Sequence, residues 1–152
     1  MSIIDAKLQL CDATSLASTT TSGVHIGNII DLGAYNYDGW GSSLVQSPGE
    51  GQQVYFNVAV TTVLSAHAPR IQIATDSALA SSAMASATIL AEVKLPASAA
   101  AGTKRSITFP SGGCLRYVQV RVVAGHNSQT GAIEAWLSNV PNDSQIPTQL
   151  LK

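Results

Sequence analysis

The sequence predicts an all-β domain, and three observations carry that prediction. Several runs alternate apolar and polar residues with a period of two, as in Gln53–Val63 and Leu115–Val123. Gly, Pro, Asn, Asp and Ser clusters punctuate the chain between those runs. No long stretch carries the i, i+3, i+4 apolar pattern of an amphipathic helix. The spacing gives about seven or eight strands in 152 residues, which suits one domain. A β-sandwich, a barrel and a jelly roll all satisfy it.

The elements follow in order. Ile3 to Asp12 alternates around Leu8 and Leu10 and reads as a strand or extended arm, so residues 1–12 form a candidate N-terminal arm. Ala13–Gly23 is a Ser/Thr-rich link. Val24–Leu32 is a second extended run that stops at Asp31-Leu32-Gly33. Ala34–Gly51 is the longest irregular stretch; it holds Tyr35, Tyr37 and Trp40 and ends in the turn signal Pro48-Gly49-Glu50-Gly51. Gln53–Val63 is a clear strand, with Val54, Phe56, Val58 and Val60 on one face. After Pro69, Ile71 and Ile73 alternate through Arg70–Thr75. Asp76–Ser86 is rich in Ala and Ser and predicts one or two helical turns, capped by Asp76 or Ser77. Thr88–Leu95 is extended, Pro96–Gly102 is a small-residue connector, and Ser106–Phe109 is a short strand closed by Pro110. Cys114–Leu137 is the best-defined segment and reads as a hairpin, two strands joined by the polar turn Gly125–Gly131. Residues 141–152 form a candidate C-terminal tail.

Charge narrows the function. Only 11% of residues are charged, against roughly 25% in typical soluble domains, and the net charge is -1. A nucleic-acid partner would need a clustered basic face, which the sequence lacks, and anionic membrane binding is disfavoured for the same reason. Mean hydropathy is +0.20. So little charge favours association, and the surface is expected to be covered by further copies or by a partner. No run of about 18 apolar residues predicts a membrane helix. The start, MSIIDAKLQL, has no basic region followed by an apolar one, so synthesis in the cytosol is expected. Cys11 and Cys114 are far apart and outside any CxxC pair, which predicts free thiols. Asn142-Asp143-Ser144 matches a glycosylation sequon but has no secretory signal to give it meaning.

Chemistry-bearing motifs are missing from the sequence. His25, His67 and His126 have no second ligand at metal-binding spacing, and His67 and His126 fall in predicted turns as solvated loop residues. No serine stands in a GxSxG elbow, and neither GxGxxG nor GxxxxGK occurs. Cys114 follows Gly112-Gly113, but Arg116 is the one local basic residue that would lower its pKa. Glu92 and Glu134 lie in predicted strands and would serve a glycosidase only if they faced each other. The expectation is therefore no catalysis, no cofactor and no metal. Tyr35, Tyr37 and Trp40 are candidates for capping the core, for protein contact or for stacking on a glycan.

The order of segments IIDAKLQLCDA, IIDLGA, RIQIATDSALASSA, AEVKLP, RYVQVRVVAG and GAIEAWL resembles the jelly-roll capsid cement (decoration) proteins of tailed bacteriophages. Ile29-Ile30-Asp31-Leu32-Gly33 and Arg116-Tyr117-Val118-Gln119-Val120-Arg121 are the most specific pieces, and the resemblance spans nearly the whole chain. It implies a β-sandwich of the jelly-roll type with extended terminal arms. It also implies a structural protein made in the host cytoplasm that sits on the virion, on the outer face of the capsid. There it would bridge major capsid proteins as a homotrimer, with a dimer as the other order. Ile3, Ile4 and Leu8 of the arm and Tyr35, Tyr37 and Trp40 of the irregular stretch are the expected interface residues. A phage surface module that binds glycans through the aromatic loop is the alternative.

Overall fold

A computed structural model describes residues 8–32, 34–36, 43–45, 53–80, 83–84, 87–110 and 112–142. Every element among them is a strand: β1 (Gln9–Ser15), β2 (Val24–Asp31), β3 (Ala34–Asn36), β4 (Ser43–Val45), β5 (Tyr55–Thr62), β6 (Arg70–Asp76), β7 (Leu79–Ala80), β8 (Ala83–Met84), β9 (Thr88–Lys94), β10 (Lys104–Thr108), β11 (Tyr117–Val123) and β12 (Ala132–Ser138). The eight longer strands form two four-stranded sheets, one ordered β1-β12-β5-β10 and the other β2-β11-β6-β9. All pairings are antiparallel. The expected all-β sandwich is the observed architecture.

Alternation decides which side chains meet between the sheets. Phe56, Val58 and Val60 of β5 and Ile133, Ala135 and Leu137 of β12 face Ile71 and Ile73 of β6 and Val118, Val120 and Val122 of β11, all essentially buried. The four strands at the sheet centres are these apolar-rich ones. The edges β9 and β10 carry Lys94, Lys104 and Arg105, and charge on an edge strand discourages further pairing. The two most specific sequence pieces are neighbours: β11 pairs with β2, placing Tyr117 opposite Asp31 and Val118 opposite Ile30. Arg116 closes that end with two 2.9 Å hydrogen bonds to the Asp31 carboxylate.

Three expectations are corrected. Cys114–Leu137 is not a hairpin, because β11 pairs with β2 and β6 whereas β12 pairs with β1 and β5 in the other sheet. Both strands are buried along most of their length, so each takes a central place in its own sheet, and the polar link arches between the sheets. Asp76–Ser86 holds no helical turn among its described residues. Asp76 ends β6 and its carboxylate accepts the Ala78 N–H, an Asx turn, and β7 then pairs with β8. A run of that length gains too little from alanine propensity to form a helix without tertiary packing. Within the stretch read as irregular, β3 and β4 form a short pair with Tyr35 opposite Leu44.

The start of the expected C-terminal tail lies on the first sheet. Asn57, fully buried on the outer side of β5, donates from Nδ2 to Ser138 Oγ at 3.0 Å and to the Val140 carbonyl at 3.3 Å. Its Oδ1 accepts the Asn142 N–H at 2.8 Å and the Ser106 hydroxyl. One buried amide therefore ties residues 138–142 to both β5 and β10.

Candidate functional site

The outer side of the second sheet carries a continuous polar row. His25, Arg121, Gln72 and Glu92 stand side by side on β2, β11, β6 and β9. Arg121 donates to Gln72 Oε1 at 2.6 Å and to the Ser22 carbonyl at 2.6 Å. Gln72 donates to Glu92 at 2.6 Å, and Arg70 lies 3.6 Å from the same carboxylate. Burial, and then the charge of Arg121, holds His25 below the usual histidine range, with Asp76 acting in the opposite sense. Arg121, Gln72 and Glu92 are thus linked across three strands, whereas His25 Nδ1 is buried beside them with no hydrogen-bond partner.

The end of the sandwich is different in kind. Residues 16–23, 63–69, 95–103 and 124–131 are four links that each carry the chain from one sheet to the other. Backbone hydrogen bonds sew them together: Leu16 N–H to the Gly131 carbonyl at 2.9 Å, Ala124 to Thr20 at 3.0 Å, Leu64 to Ala99 at 3.0 Å and Ser98 to Ser65 at 2.9 Å. Buried Leu16, Leu64, Leu95 and Ala99 root the links in the core, and Thr19 is locked by its hydroxyl on the Leu16 carbonyl. None of the four contains Asp, Glu, Lys or Arg. What they expose is mostly small, including Ala17, Thr20, Ala66, Ala97, Ala101 and Ser128, together with Val63 and the rings of His67 and His126. His67 and His126 stack there with ring centroids 4.7 Å apart. Such a surface is cheap to desolvate, since no charge must shed its water. It is also already ordered, so a partner would face little entropic cost in fixing it.

The predicted site residues distribute as follows. Leu8 is half-buried and packs against the core. Tyr35 lies in β3 with its backbone opposite Leu44. Ile3, Ile4, Tyr37 and Trp40 lie outside the described residues. Glu92 and Glu134 sit on different sheets, Glu134 between the core residues Ile133 and Ala135 and therefore pointing away from the interior. Among the described residues no group of three His, Cys, Asp or Glu gathers at metal-binding distance. No disulfide joins Cys11, which is buried, to Cys114, which is half-buried. The neutral end was not singled out from sequence, although its signal is there: the four links are charge-free runs, and only the crossings bring them together. No protein-family model matches the chain, and no curated protein does either.

Proposed function

We propose that this chain is a structural cement protein of a tailed-bacteriophage head. On this reading it is made in the host cytoplasm, assembles with further copies, a homotrimer first, and rests on the outer face of the capsid against major capsid proteins. The carrying observation is the charge-free, interlocked end built from residues 16–23, 63–69, 95–103 and 124–131. A rigid neutral surface suits repeated contact with a lattice, where many modest contacts together give firm retention. The strand pairing supports the jelly-roll form of the sandwich. β1 pairs with β12, β2 with β11, β5 with β10 and β6 with β9, a nested set as of one long hairpin rolled into two sheets.

Co-sedimentation with phage heads stripped of their decoration tests the reading, with analytical ultracentrifugation giving the order of assembly. The protein is expected to pellet with heads, to stay bound as salt is raised, and to sediment as several chains of 15.7 kDa. Ala17→Glu combined with Ala101→Glu should lower head retention about tenfold or more, by burying two charges, with unchanged unfolding midpoint. A strict monomer that stays in the supernatant would sink the proposal.

A further inference from the structure

We propose that copies of this chain join head to tail, the acidic margin of the first sheet in one copy meeting the basic margin in the next. The inference deepens the proposed function and rests on it only for the order of assembly. Charge runs unevenly across the sheet ordered β1-β12-β5-β10. β1 and β12 carry Asp12 and Glu134 and no Lys or Arg. β5 carries no charged residue, and β10 carries Lys104 and Arg105 and no carboxylate. Glu134 and Lys104 both stand opposite Ala59, one on each flank, so they share one row. Val58 and Val60, on either side of Ala59, lie in the core, so that row faces outward. Asp12 is exposed on the adjoining strand. Over the roughly 14 Å spanned by four strands, the surface passes from carboxylates to cations. Lys94, exposed at the end of β9 beside β10, adds to the basic side.

Scarcity of charge makes this polarity decisive. Only 11% of residues are charged, so two or three side chains set the sign of a whole side. At the margins of the other sheet the carboxylates are met locally, Asp31 by Arg116 and Glu92 by Arg70. Both margins of the first sheet are ordered before a partner arrives. Arg105 donates from Nη1 to the Lys104 carbonyl at 3.0 Å, and both residues hold further contacts within the chain. On the acidic side, Asn28 of β2 donates to the Gln9 carbonyl of β1 at 3.4 Å, and a side chain on Gly27 would meet Cys11 Sγ at 2.6 Å, so the two edges are packed together. A partner pays little entropy to fix such surfaces. β1 is also a poor template for another strand, because its register shifts on both sides of Cys11 and Ala13 lies in the left-handed region at φ 43°. A neighbour therefore engages this margin through side chains. A partner for either margin must bring the opposite charge, and the other margin of the same chain brings it. Such a contact is heterologous, and it closes a ring of three when each step turns the chain by a third of a revolution.

Analytical ultracentrifugation of the free protein, without phage heads, tests the contact. Glu134→Lys and Lys104→Glu should each weaken self-association about tenfold or more, since each sets like charges against each other. The double variant Glu134→Lys/Lys104→Glu should recover it, because the two reversed margins match again; that recovery also shows that neither substitution acts by unfolding the chain. Raising salt from about 0.05 M to about 0.5 M should weaken the unmodified assembly about tenfold. A strict monomer overturns the proposal, as do single variants that assemble like the unmodified protein, or a double variant no better than the single ones. A single variant that keeps its assembly but loses phage heads overturns it too, by assigning that margin to the capsid. Head binding is read separately, by co-sedimentation: charge-dependent assembly in solution without any retention on heads would sink the proposed function and leave this contact standing.

Discussion

At the scale of single residues, the neutral end depends on backbone shapes that a side chain would spoil to different degrees. Gly131 and Gly102 both lie in the left-handed region, at φ +103° and +87°. A Cβ on Gly131 would meet the Val63 carbonyl at 2.7 Å and the Leu64 side chain at 2.7 Å, whereas one on Gly102 would meet nothing within 4 Å. Gly102→Ala should therefore cost about 1–2 kcal/mol, the price of the conformation itself. Gly131→Ala carries that cost plus about 1–3 kcal/mol for the clash against backbone. Urea unfolding of the two variants separates the terms; equal losses would show that the links relax freely and are not locked as their hydrogen bonds indicate. Asn57 shows the complementary case. It occupies an outward position on β5, where alternation predicts a solvent-facing polar residue, yet it is fully buried because residues 138–142 fold over it. No local pattern in the sequence announces a contact made across more than 80 positions.

At the scale of elements, alternation made β2, β5, β6 and β9 legible to within a few residues, because Ile26, Phe56, Val58, Val60, Ile71, Ile73 and Val93 take inward positions along them. The partner of a strand is not written in its own period. β11 and β12 look like a hairpin since a polar stretch with glycine at each end separates them, and the same features serve an arch between sheets. What distinguishes them is burial on both faces of both strands, a property of their central places. A direct check is to replace residues 124–131 with an Asn-Gly turn. Such a turn closes a hairpin within one sheet but cannot span the roughly 10 Å between packed sheets. The variant should lose cooperative unfolding and near-UV signal, whereas a hairpin would be stabilised by it. The candidate surface was hidden for the same reason: its four runs are each plainly uncharged, and only the crossings place them at one end.

For the molecule as a whole, the buried Cys11 and the half-buried His25 shape how stability depends on pH. Cys11 is 1% exposed, and burial pushes its thiol from the usual value of 9.0 up to about 12, with a hydrogen bond involving Thr14 acting weakly against it. The unfolded chain gives up that proton from about pH 9, so above it unfolding is favoured progressively, until the folded thiol also ionises near 12. The loss over that span is on the order of 4 kcal/mol. His25 acts on the other side. Its folded form resists protonation, while the unfolded ring takes a proton as pH falls through 6.5. Stability is then complete above 6.5, declines as pH drops below it, and levels off beneath the lowered folded value. The urea midpoint should accordingly be flat between about pH 7 and 9 and fall on either side. Cys11→Ala should lower the whole curve through lost packing but remove its alkaline descent, and His25→Gln should flatten the acid limb near pH 6. An alkaline descent that persists in Cys11→Ala would assign it to other groups and count against the burial of this thiol as the cause.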